Sequence, residues 1–271
     1  MKTLEQIETD QSTFSIGLAL SQGWAYVSKN LVYYILGGII SFLIGAAAGF
    51  IPILGSIANS LIITPCLMAG AIYVTWQIAN GKAWTDFADM FKGFNFLVPL
   101  LVSSLIQALI VVGLAAIVLF SYIPEIVEIV KLSSGGGAFT NKDEIRDLVL
   151  NFISVKTALL ISLVAIVSLF ITIIWAFKSH FIVIYKLEAW AAMEASRKIA
   201  MRNFFQVLGL FLVLGFVIFL SAIPCGVGLF FTLPWMIGAT YSAFSQITQS
   251  DNAMDITKEG FDFLAEEEES L

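Results

Sequence analysis

Two runs without a single aspartate, glutamate, lysine or arginine constrain this chain: Asn30–Gly81, 52 residues, and Asn203–Ser250, 48 residues. One uncharged crossing of a bilayer takes about 20 apolar residues. Each run therefore holds two crossings and returns to the side it left. Each starts on a basic residue and asparagine, Lys29-Asn30 or Arg202-Asn203, and is broken by Ile-Pro followed by glycine. Each closes on related words, GAIYVTWQI at Gly70–Ile78 and GATYSAFSQI at Gly238–Ile247. The expectation is an all-α, polytopic integral membrane helical bundle with an internal parallel repeat.

Composition agrees with a membrane class. Hydrophobic residues make up 59% of the 271 and charged residues 13%, where soluble domains carry about 25% charged. The net charge of −6 is a property of one end: residues 249–271 hold eight acids and one base. No basic face remains to displace counterions from phosphates, which argues against nucleic acid as a partner. The opening MKTLEQIETDQST is polar and mixed in charge, with no signal-peptide pattern.

About six transmembrane helices plus interfacial amphipathic helices are expected. Residues 1–11 read as a polar N-terminus, 12–248 as one membrane domain, and 249–271 as an acidic tail with the composition of a disordered segment. Crossings are expected near 31–50, 57–79, 96–122, 157–177, 204–222 and 228–247, with surface helices at 12–29, 84–95 and 188–202. Residues 125–156 read as a long loop with two short amphipathic helices. The repeat units are then about 12–80, 83–186 and 188–248. Counting lysine and arginine with the N-terminus inside places ten on the inner side and four on the outer. The positive-inside rule then predicts both termini cytoplasmic.

Chemistry leaves little trace. No proposed crossing carries a charge, which disfavours ion coupling. His180 is the only histidine, and it reads as an interfacial ring beside Lys178. Cys66 and Cys225 are too few and too far apart for a metal centre. The expectation is no catalytic residue, no cofactor and no metal site. What remains are candidate surfaces. Trp190, Arg197, Lys198 and Arg202 precede a crossing and suit lipid head groups. Gly37, Ser41, Gly45 and Gly49 form a small-residue stripe that suits helix packing. Pro65 and Pro234 are candidate hinges. Asn59, Ser103, Ser104 and Gln107 are candidate polar cavity residues. Membrane lipids are the expected partners, together with a protein partner through the acidic tail, where Phe261, Phe263 and Leu264 precede four glutamates, or through the small-residue helix faces.

The run AWAAMEASRKIAMRNFF at Ala189–Phe205, followed by Ile223-Pro224-Cys225-Gly226-Val227-Gly228 and by Leu233-Pro234 and Gly238-Ala239-Thr240-Tyr241, resembles a loose group of six-helix bacterial membrane proteins. That group includes the membrane domain preceding some glycerophosphodiester phosphodiesterases. The resemblance implies a six-helix architecture in a bacterial inner membrane and no particular reaction. Two functions are expected from it and from the residues: a scaffold, assembly or lipid-organising protein without catalytic activity, or a transporter of a lipid or apolar small molecule.

Overall fold

The computed structural model describes residues 3–9, 12–51, 53–82, 84, 86–120, 122–124, 127, 155–223 and 226–249. Among these, every regular element is helical. The expected amphipathic helices of the 125–156 loop and the acidic tail lie outside the described residues. Two compact units arise, one from Met1–Ser104 with Ile173–Leu271, the other from Leu105–Thr172.

In the first unit, α1 is Leu4–Thr9, α2 Ile16–Ser28, α3 Leu31–Gly49, α4 Leu54–Ala58 and α5 Thr64–Ala79. A π-helical turn, Asn59–Ile63, joins α4 to α5. Pro65 explains its position. A proline has no N–H to return to the preceding turn, and a wider turn just before it absorbs the mismatch. A 3₁₀ helix, Phe87–Phe96, leads into α6, Leu97–Phe120. Ten residues is long for this form, and the sequence supplies the reason. Phe87, Met90, Gly93 and Phe96 recur every third residue, the spacing that a 3₁₀ helix stacks on one face, and Met90 and Gly93 are buried.

The second unit takes the end of α6 and most of α7, Val155–Ile174. Back in the first unit follow α8 Lys178–Ile184, α9 Ala189–Arg202, α10 Phe204–Ala222 and α11 Leu229–Thr248.

Among the described residues, five helical stretches are long and apolar enough to cross a membrane: Leu31–Gly49, Leu54–Ala79, Phe87–Val118, Leu159–Ile184 and Phe204–Ala222. Their outward faces are apolar. Phe42 is 73% exposed, Phe205 81% and Phe219 68%, which suits lipid tails and would be a liability in water. The chain is a multi-pass membrane protein by this measure. α11 forms where a sixth crossing is expected but is more polar, with Thr240, Ser242, Ser245 and Gln246 in its second half. The N-terminus also differs from expectation: within it α1 is helical, and Ile7 is buried in the hydrophobic core.

Candidate functional site

Three joints hold α2, the 3₁₀ helix and α9 to neighbouring segments of the first unit, two by close backbone approach and one through a bridging hydroxyl. At the first, α2 lies along α11. A methyl group added to Gly23 would fall on the backbone of Ala239, and one added to Gly238 on the carbonyl of Gly23. At the second, the 3₁₀ helix lies on α5, where a methyl on Gly70 would meet the Met90 carbonyl and one on Gly93 the Cys66 carbonyl. At the third, α9 packs on α8. The helix is interrupted by a turn between Ile174 and Lys178, and the Ser196 hydroxyl bridges it. It donates to the Ile174 carbonyl (3.0 Å) and accepts from the Phe177 N–H (3.1 Å).

A polar ladder reinforces the first joint. Trp235 Nε1 donates to the Leu20 carbonyl (2.9 Å), Ser242 Oγ to Gln22 Oε1 (2.8 Å), and the Ser15 N–H to Gln246 Oε1 (2.9 Å). Gln22, Ser242 and Gln246 are all buried, so the pairing removes a desolvation cost that each would otherwise carry. Farther along, the Asn203 side-chain amide donates to the Ser12 carbonyl (3.4 Å).

The four head-group candidates separate on α9. Trp190, 70% exposed, and Arg197 stand on the outward face. Arg197 is engaged by Glu194 through two bonds, 2.9 and 2.6 Å. That pairing holds the Glu194 carboxyl below its usual range and the guanidinium above its own. Arg202 reaches back to donate to the Ile7 carbonyl (3.0 Å), tying α1 to α9. Lys198 is half-buried. Just past α8, burial pushes the Tyr185 phenol up to about 12, against a smaller lowering by its hydrogen bond with Thr248.

The small-residue stripe meets two different neighbours. A methyl on Gly37 would meet the Met90 sulfur of the 3₁₀ helix, whereas one on Gly45 would come 3.4 Å from Asn59 Oδ1 on the π turn. Ser41 donates to the Gly37 carbonyl (2.7 Å), and the space over Gly49 is open. Pro65 follows the π turn, and Pro234 lies buried inside α11.

The candidate cavity residues are not gathered in one place. Asn59 belongs to the Gly45 contact and is within 3.5 Å of Thr64 Oγ1. Ser103 is buried and donates to its own Leu100 carbonyl (3.0 Å), while its carbonyl accepts from Lys178 Nζ (3.3 Å). Ser104 is half-buried, and Gln107 lies in the second unit. A cavity of about 290 Å³ opens elsewhere, between α3 and α11, lined by Tyr34, Ile35, Gly38, Phe42, Gly226, Leu229, Phe230, Leu233 and Pro234. Its wall is apolar apart from the Tyr34 hydroxyl, which is paired with Thr75 Oγ1 at 2.7 Å.

His180 is buried rather than interfacial. Its ring stacks on Phe244 and Tyr241, with centroids 5.2 and 6.4 Å away, and meets Phe177 edge-on. Neither ring nitrogen has a hydrogen-bond partner among the described residues. Among those residues, too, no group of three or more histidine, cysteine, aspartate or glutamate side chains could hold a metal ion.

Sequence reasoning missed the joints and the apolar slot. One signal for the joints was present: Gly23 and Ser196 each stand seven residues before the asparagine that opens a charge-free run. No protein-family model, curated protein or solved structure matches the chain.

Proposed function

We propose that this chain is an integral inner-membrane protein without catalytic activity, acting as a scaffold, assembly or lipid-organising element. The observation that carries the reading is the set of three close joints. They fix surface helices against the membrane-embedded segments and leave the Trp190 and Arg197 face of α9 outward, as a rigid platform at head-group level.

The same joints support a parallel repeat. Buried Ala19, Gln22, Gly23 and Val27 of α2 match buried Ala192, Ala195, Ser196 and Ala200 of α9 at a constant offset of 173 residues. Gly70 and Gly238, which open the two related words, are both joint residues. The 3₁₀ helix and α9 each rest on the segment preceding them in the chain, α5 and α8, whereas α2 rests on α11. The bond between Ser15 and Gln246 supports placing the start of α2 and the end of α11 at one bilayer surface. That requires an even number of crossings, with α11 as the sixth. By the charge count that surface is cytoplasmic.

Purification of the full chain in mild detergent, with identification of everything that accompanies it, tests the function. A stable protein partner lost on deleting residues 251–271, or a defined set of retained phospholipids, is the expected result. A chain that emerges alone and delipidated, with its fold intact, would sink the proposal. The alternative, a transporter or facilitator for a lipid or apolar small molecule, draws on the slot beside Pro234. It expects that molecule to cross vesicle membranes faster when the protein is present.

A further inference from the structure

We propose that the slot between α3 and α11 is a binding site for one acyl chain of a bilayer phospholipid with an anionic head group. This deepens the lipid-organising half of the reading above and rests on it. The slot has nearly twice the volume of an apolar cavity of about 150 Å³ that stays dry and takes up benzene, and its lining side chains are apolar apart from the Tyr34 hydroxyl, which is paired with Thr75. Its natural occupant is therefore apolar.

The slot is elongated along the helices. Tyr34, Gly38 and Phe42 line it on α3, a rise of about 12 Å at 1.5 Å per residue. The wall is also continuous with the lipid-facing surface, since Phe42 is 73% exposed and Leu233 and Phe230 are partly exposed. In a bilayer that surface faces acyl chains.

Charge and aromatic placement select the head group. At the Tyr34 end the Trp84 ring packs against Tyr33 and Tyr34, each with centroids 5.2 Å away, in the manner of an interfacial aromatic belt. Lys29 precedes Tyr34 by five residues, Lys82 precedes Trp84 by two, and both are exposed. Both acids in this stretch are engaged: the Asp86 carboxylate accepts from the Ala88 N–H (2.9 Å), and Asp89 is ion-paired with Lys92 (2.5 Å). Two exposed cations beside engaged carboxylates match a phosphate at the level where an inserted chain would carry it.

Photolabelling of the full chain in vesicles of phosphatidylglycerol and phosphatidylethanolamine, using phosphatidylglycerol with a diazirine midway along one chain, tests the site. Label should concentrate in peptides covering residues 35–42 and 229–234 and should saturate, while label on the outer face around Phe216 rises linearly. A methyl on Gly38 meets no atom within 4 Å, so Gly38→Leu fills the slot without striking backbone and should cut that label about tenfold. Gly49→Leu, on the same helix in open space outside the slot, should leave it unchanged. Lys29→Glu with Lys82→Glu should reduce slot labelling at least threefold for the anionic lipid and much less for the zwitterionic one. Uniform, non-saturating label, indifference to Gly38→Leu, or a crosslink between two copies at this face would overturn the site. Uniform label on a chain that still retains phospholipid fails the slot alone. Loss of all retained phospholipid fails the lipid-organising reading with it.

Discussion

An added methyl at Gly70 would sit on the Met90 carbonyl oxygen, inside any distance two atoms tolerate, whereas one at Gly49 meets nothing. Both glycines lie in helices, where alanine is intrinsically favoured by about 1 kcal/mol. The two substitutions should therefore diverge in sign. Gly70→Ala forces the 3₁₀ helix away from α5 and should cost about 1–3 kcal/mol, the usual range for overpacking. Gly49→Ala should be neutral or slightly stabilising. Ser196→Ala tests the third joint, since it strands the Ile174 carbonyl and the Phe177 N–H in a buried place and should cost about 1–3 kcal/mol. Thermal unfolding in one detergent compares all three, and equal midpoints for wild type, Gly70→Ala and Ser196→Ala would refute the account of the joints. Gly70 and Gly238 were visible in the sequence as the first letters of two related words. Gly23 and Ser196 were not paired by eye, because one works by lacking a side chain and the other by supplying a hydroxyl.

At the scale of elements, the crossings were the legible part. Helices α3 and α10, Leu31–Gly49 and Phe204–Ala222, fall within a residue of the expected spans, because an unbroken apolar run has one way to satisfy its backbone in lipid. The 3₁₀ form of Phe87–Phe96 was hidden, since its three-residue spacing only gains meaning once α5 is known to pass beneath it. The partner of α2 was hidden for a similar reason: Gln22 and Ser242 lie 220 residues apart. That pairing makes the N-terminus a structural element. Deleting residues 1–28 uncovers the α2-facing side of α11 within Tyr241–Thr248, a stretch in which every residue is buried, and leaves Ser242 and Gln246 without Gln22 and Ser15. The truncated chain should lose its monodisperse elution in mild detergent and gain protease cleavage near α11. Unchanged elution with unchanged digestion would show that α2 contributes no closure.

The whole molecule turns on parity. Among the described residues five stretches satisfy the length and hydropathy of a crossing, and an odd number would put the two ends of the chain on opposite sides. The bonds from Ser15 to Gln246 and from Trp235 to Leu20 argue for an even number, because α2 lies along the second half of α11. The polarity of α11 then has a local cause. Ser242 and Gln246 are engaged by Gln22 and Ser15, and Ser245 bonds the Ser242 carbonyl of its own helix; all three are buried, so they lower its hydropathy without facing lipid. Lysine and arginine placement, ten against four, adds the direction. Paired fusions decide the matter: a fluorescent protein that matures only in the cytoplasm, and a phosphatase active only outside it. Six crossings expect fluorescence without phosphatase activity for fusions after Leu271, and the reverse for fusions after Gly136 in the long loop. Phosphatase activity after Leu271 would reduce α11 to a helix lying against the bundle, and with it the parallel repeat would lose its last member.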